Sequence, residues 1–286
     1  MAVEKPLCFW CEGAWLYGIA HLPQARHRRG VLIVVGGPQY RVGSHRQFLL
    51  LARHLAGSGI PTLRFDYRGM GDSDGDTCWF EQVGLDICAA INELFSLVPE
   101  LEEVVIWGLC DAASAALFYA YRDPRVAGLA LLNPWVRTEA GIAKAYLKNY
   151  YSARLFHPNL WRKILRGEFD FLFALRSFLG MAAAGLSVAQ AAESPGRGVR
   201  QEGRSLPDRM LDGLQRYQGK VLLILSGQDL TAQEFRDLIS GSPQWREQLA
   251  SPRVTRHEIA DANHTFSRRE WRDQVATWTT EWVQQM

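Results

Sequence analysis

Short apolar runs separated by polar, glycine-rich turns set the rhythm of this chain. Gly30–Val35, Ile60–Phe65, Val104–Leu109 and Ala127–Leu132 are each too brief for a core helix and rich in Val, Ile and Leu. They predict strands buried on both faces. Between them, apolar residues recur at helical spacing: Leu49, Leu50, Leu51, Leu55 and Ala56, then Val83, Ile87, Ile91, Leu94 and Phe95, then the small-residue run Ala112–Ala116. Strands alternating with helices predict an α/β architecture, a mostly parallel sheet flanked by helices. About residues 7–22 read as an antiparallel hairpin ahead of it. Lys220–Ser226 and Val254–Ile259 read as two further strands, and about 267–285 as a final helix whose Trp271, Val275, Trp278 and Trp282 face the core.

The rhythm breaks over residues 136–214. No buried β-run appears there, and the stretch instead carries helical segments rich in aromatics, among them Tyr146, Tyr150, Trp161 and Phe169. Within it, residues 185–207 hold almost no large hydrophobes, which predicts a mobile segment. The chain therefore divides into a core made of residues 1–135 and 215–286, with 136–214 inserted.

Chemistry concentrates where Val104–Leu109 meets Cys110-Asp111-Ala112. A strand that turns sharply into a helix strains the backbone of the residue at its tip, and small residues two places before and after avoid a clash. Gly108 and Ala112 meet that demand. The turn exposes the tip sulfur beside a helix N-terminus, which favours thiolate over thiol. Against this stands the common role of an unpaired cysteine as a small buried hydrophobe. The order of the other groups favours the nucleophile. Asp229, in Gly227-Gln228-Asp229, follows one strand as the acid, and His264, in Asp261-Ala262-Asn263-His264, follows the next as the base. Upstream, Gly36-Gly37-Pro38-Gln39 closes a buried strand with backbone open to close approach. It offers the N–H of Gly37 or Gln39 to an oxyanion hole, the second donor being the N–H of Asp111. Arg41, His45 and Arg46 follow that loop, either as solvated cations or as contacts to an anionic part of a substrate.

Taken together, Gly36-Gly37, Asp66-Tyr67-Arg68-Gly69-x-Gly71-x-Ser73, the Gly-x-Cys-x-Ala elbow, Gly227-x-Asp229 and Asn263-His264 resemble the α/β-hydrolase superfamily over about residues 13–135 and 215–286. The segment Gly36-Gly37-Pro38-Gln39-Tyr40-Arg41-Val42-Gly43-Ser44-His45-Arg46-Gln47-Phe48 and the Gly-Leu-Cys-Asp-Ala elbow are similar to the first type of exosortase-A-system-associated hydrolase. The resemblance implies an α/β-hydrolase fold with the insertion as a helical cap over the site. It also implies a bacterial exopolysaccharide and envelope-sorting context, in which acyl carrier proteins are encoded. It implies no settled substrate.

Composition narrows the remaining classes. With 32 basic and 30 acidic residues, a net charge of +2 and no basic stripe, nucleic acid is not an expected partner. No stretch holds the roughly 20 apolar residues of a membrane span, and Met1–Pro6 lacks the order of a signal peptide, so a cytoplasmic place is expected. The five cysteines, at 8, 11, 78, 88 and 110, suggest no disulfide framework. Cys8-x-x-Cys11 has half the spacing of a zinc site but nothing nearby to complete it, so no metal or cofactor is expected. The sequence thus predicts a cysteine-dependent esterase, thioesterase or acyl transferase acting on a small or carrier-borne acyl group. A non-catalytic binding scaffold and a thiol sensor are the alternatives.

Overall fold

The computed structural model describes residues 2–37, 39–136 and 204–286. Their eight strands are β1 (Val3–Cys11), β2 (Ala14–Leu22), β3 (Arg29–Val34), β4 (Thr62–Phe65), β5 (Glu103–Leu109), β6 (Val126–Leu132), β7 (Lys220–Ser226) and β8 (Val254–Ile259). They form one sheet in the order β1-β2-β4-β3-β5-β6-β7-β8. The pairs from β4 to β8 are parallel, whereas β1 with β2 and β2 with β4 are antiparallel. The mostly parallel sheet flanked by helices is therefore as expected. The hairpin starts at Val3, ahead of the expected residue 7, because its outer residues alternate weakly and face solvent on the edge strand.

The apolar runs become strands because both faces are covered. Gly30–Val34, Val104–Leu109 and Val221–Ser226 are buried without interruption. The covering helices include α1 (Gln47–Gly57), α2 (Gly84–Leu97) and α3 (Asp111–Tyr119). On α1 the core face is Gln47, Phe48, Leu51, Ala52, Leu55 and Ala56, while Leu49 and Leu50 are half-buried. In α2 Ile87, Ile91 and Leu94 are buried and Cys88 packs half-buried against them. After the undescribed stretch come α4 (Leu206–Arg216), α5 (Leu230–Gly241), α6 (Pro243–Leu249) and α7 (Arg269–Gln285). In α7 Val275 and Trp282 are buried, and Trp271 and Trp278 pack half-buried on the core.

The compact unit holding the sheet runs to Val136 and resumes at Gly203. Its return precedes the expected residue 215 because α4 is a capped amphipathic helix. The Ser205 hydroxyl accepts the Asp208 N–H, Pro207 sits in the first turn, and Met210 and Leu214 are buried. Of the segment expected to be mobile, residues 204–207 are described: Ser205 caps α4, and Leu206 and Pro207 open it. The expected cap at 136–214 otherwise falls on residues 137–203, outside the described ones, as do its aromatics and the rest of 185–207.

Chain order fixes where a ligand can sit. From β3 the chain goes to β4 on one side, then crosses to β5 on the other. Such a reversal leaves a crevice at the carboxyl ends of the two central strands. The loop after β3 holds Gly36 and Gly37, and the turn after β5 holds Cys110.

Candidate functional site

Cys110 links β5 directly to α3 with φ 64° and ψ −125°, a conformation L-residues rarely adopt. The turn closes through Cys110 N–H donating to Leu132 O at 2.9 Å, and Cys110 O accepting from Ala113 N–H at 3.1 Å and Trp135 N–H at 3.2 Å. Gly108 is indispensable to it: a Cβ there would stand 2.6 Å from the Ala112 carbonyl carbon. Cys110 is half-buried at the start of α3.

Asp229 and His264 are brought together from the ends of β7 and β8. Gly227 lets β7 approach the next connection, since a Cβ there would collide with the Ala260 carbonyl. Two residues later Asp229 caps α5, accepting from Ala232 N–H at 3.0 Å. The same Oδ2 lies 2.9 Å from His264 Nδ1. Burial pushes the Asp229 carboxyl up, but the hydrogen bond and charge of His264 and the Ala232 and Thr231 amides outweigh it and hold it below the usual range. An ionised acceptor at Nδ1 orients the ring and leaves Nε2 for proton transfer.

One residue that the sequence reading passed over supports this arrangement. Asn133, buried and with φ 43°, ends β6. Its Oδ1 accepts from Ser226 N–H at 2.9 Å, and its Nδ2 donates to the Ser226 hydroxyl and to His264 O at 3.0 Å. Asn before Pro134 at a strand end is a turn signal. Its bonds to residues 93 and 131 positions away leave no local trace.

The loop after β3 is organised from within. Gly37, with φ 63°, donates its N–H to Asp111 Oδ1 at 2.7 Å, while Gln39 N–H bonds to Gly37 O at 2.7 Å and Gln39 Oε1 accepts from Ser44 N–H at 3.1 Å. The Arg41 guanidinium is engaged by Asp66 and by Asp72, the latter at 2.6 Å, and its N–H by Asp66 Oδ1 at 2.6 Å. Gly71 gives the Asp66 carboxylate its space, and the Ser73 hydroxyl donates to Asp66 O at 2.6 Å. The Asp66–Ser73 segment is thus a structural turn that pins Arg41, whose charge is met inside the protein. His45 and Arg46 are exposed and both left-handed, at φ 53° and 62°.

No group of three metal-ligating side chains occurs among the described residues. Cys8 and Cys11 sit on β1 with Cys8 exposed and Cys11 buried, on opposite faces of the strand, so they cannot share an ion. Burial pushes the Cys11 thiol up to about 11. No described helix is long and apolar enough to cross a membrane.

A model of the alpha/beta hydrolase family matches residues 31–278. The chain belongs to this family. Among solved structures, the hydrolase resembles the esterase Pf2001 of Pyrococcus furiosus at 14% identity and a TM-score of 0.67, covering 99% of this chain and 91% of that one. Dienelactone hydrolase from Anabaena variabilis aligns at 16% identity and TM-score 0.62 over 99% and 98% of the two chains. Est1E from Butyrivibrio proteoclasticus, solved with ferulic acid, aligns at 15% and 0.63 over 98% of each. At these identities the likeness is one of fold. No curated protein sequence matches the chain.

Proposed function

We propose that this hydrolase family member is a cysteine-dependent acyl hydrolase or acyl transferase acting on esters or thioesters. The observation that carries the reading is the strained Cys110 at the β5–α3 elbow, in one sheet with the Asp229–His264 pair at the ends of β7 and β8. His264 Nε2 takes the Cys110 thiol proton while Asp229 holds the ring, and the thiolate adds to the acyl carbonyl. The tetrahedral intermediate then breaks its bond to the alcohol or thiol, which leaves with the proton from His264. Water, or an acceptor alcohol or amine, attacks the acyl-Cys110 thioester with its proton passing to His264. This second intermediate breaks its C–S bond, and the departing Cys110 sulfur takes the proton back from His264.

Thiolates attack thioesters and activated esters more readily than amides, which favours acyl transfer over peptide cleavage. Esterases and a dienelactone hydrolase among the structural relatives support an ester-type substrate. Exposed His45 and Arg46 stand beside the loop to meet an anionic part of a substrate, and Arg41 holds the loop in place. The resemblance of residues 36–48 to exosortase-associated hydrolases supports an exopolysaccharide setting, with a cytoplasmic acyl carrier protein as one donor.

The test is the intact mass of wild type and Cys110→Ala after brief mixing with activated esters and acyl thioesters. A transient acyl adduct in wild type alone is expected, and the preferred chain reports the substrate class. If neither protein forms an adduct with any donor, the scaffold reading replaces this one; rapid Cys110 alkylation without turnover identifies a thiol sensor instead.

A further inference from the structure

Both upstream amides that could serve an acyl oxyanion beside Cys110 already have partners within the protein. Gly37 N–H donates to Asp111 Oδ1 at 2.7 Å. Gln39 N–H, the alternative upstream donor, is spent on Gly37 O. The carboxylate rests against Gly36, where a Cβ would stand 2.6 Å from Asp111 Oδ1. A carboxylate oxygen of the residue after Cys110 thus takes the loop amide that the oxyanion of a tetrahedral intermediate would use. Two such oxygens compete for that amide.

Resting on the acyl-transfer reading, we propose that Asp111 is the internal occupant of the oxyanion hole, and that a substrate carbonyl must displace its carboxylate before Cys110 is acylated. Rotation about the Asp111 Cα–Cβ bond clears the Gly37 amide without moving the backbone. The residue thereby sets specificity: acyl donors activated or bound strongly enough to displace a charged hydrogen-bonded group react, and weak ones do not. Burial pushes the Asp111 carboxyl up, against the pull of the Gly37, Ala112 and own-chain amides and of the His264 charge. Removing the carboxylate leaves the Gly37 amide open to the substrate.

The experiment compares wild type, Asp111→Asn and Asp111→Ala in two reactions at the same thiol. p-Nitrophenyl acetate reports acylation, read as the nitrophenolate burst. Iodoacetamide reports thiolate supply alone, read by mass at Cys110, because alkylation needs no oxyanion hole. A hydrogen bond to a charged group is worth about a ten- to hundredfold factor. D111A is therefore expected to acylate about ten- to a hundredfold faster than wild type while alkylation rises only a few-fold, with D111N between. Equal gains in both reactions would mean that Asp111 acts only on the thiol, and overturn the proposal while leaving acyl transfer intact. An unchanged acylation rate overturns it equally. Acylation in no variant, despite alkylation of Cys110, overturns both the occupant and the acyl-transfer reading. Melting temperatures monitor folding, and should D111A fail to fold, Asp111→Ser, whose hydroxyl still suits a helix start, carries the same comparison.

Discussion

Asn133 ties together chain segments far apart in sequence beside the site. It occupies a left-handed backbone position that Asn tolerates better than most residues, and its side chain joins the end of β7 to the carbonyl of His264. Asn133→Ala removes all three side-chain bonds and leaves the Ser226 N–H and the His264 carbonyl without their partner. At about 1–3 kcal/mol for an orphaned buried group, a loss of about 2–4 kcal/mol is expected in urea denaturation. Asn133→Gly relieves the backbone but not the lost bonds, so it should recover only about 1 kcal/mol of that. A stability change within 0.5 kcal/mol for N133A would show that the side chain contributes little to holding the ends of β6, β7 and the His264 loop together.

At the level of elements, the elbow makes its own prediction. A Cβ on Gly108 would stand 2.6 Å from the Ala112 carbonyl carbon and 2.8 Å from Ala113 N, backbone atoms that cannot swing aside. Gly108→Ala should destabilise by about 1–3 kcal/mol, as overpacking does, and abolish the acyl adduct by opening the turn between β5 and α3. Gly57→Ala is the control: nothing lies within 4 Å of its Cβ at the exposed end of α1, so differential scanning calorimetry should show a small gain, about 0.5–1 kcal/mol. An equal response of the two variants would remove the steric argument. The elbow was legible beforehand because its demands are local: an apolar strand, small residues two places either side, and a helix. The central strands were legible for the same reason, their runs being buried on both faces. The start of β1 was not, since Val3–Pro6 are exposed and alternate little. Nor was α4, whose polar composition hid a capped helix with two buried anchors. The capture of the Gly37 amide by Asp111, 74 positions away, and of Arg41 by Asp66 and Asp72 depends on which loops the sheet order brings together. Spacing along the chain does not carry that information.

Across the whole molecule, acid stability should turn on a buried basic pair between β2 and β4. Arg64, 2% exposed, donates from Nε to His21 Nε2 at 3.0 Å and from an Nη to the Arg41 carbonyl at 3.2 Å, tying the antiparallel side of the sheet to the site loop. His21 must therefore be neutral, with Nε2 as acceptor. Burial first and the Arg64 charge next push it down to about 4, against the opposing charge of Glu4. In the unfolded chain the same imidazole titrates near 6.5. Between those values the unfolded state binds the proton and the folded state refuses it, so stability falls as pH drops from about 6.5 to about 4 and is unaffected by this group above that window. A gap of this size is worth about 3 kcal/mol across the full window. His21→Gln keeps an acceptor for Arg64 without a titrating group. Urea unfolding at pH 7.5, 5.5 and 4.5 should show wild type losing about 2–3 kcal/mol more than H21Q by the lowest pH, while the carboxylates, Asp66, Asp111 and Asp229 among them, titrate alike in both proteins and cancel. Parallel losses in the two proteins would place the acid sensitivity in those carboxylates rather than in the joint between β2 and β4.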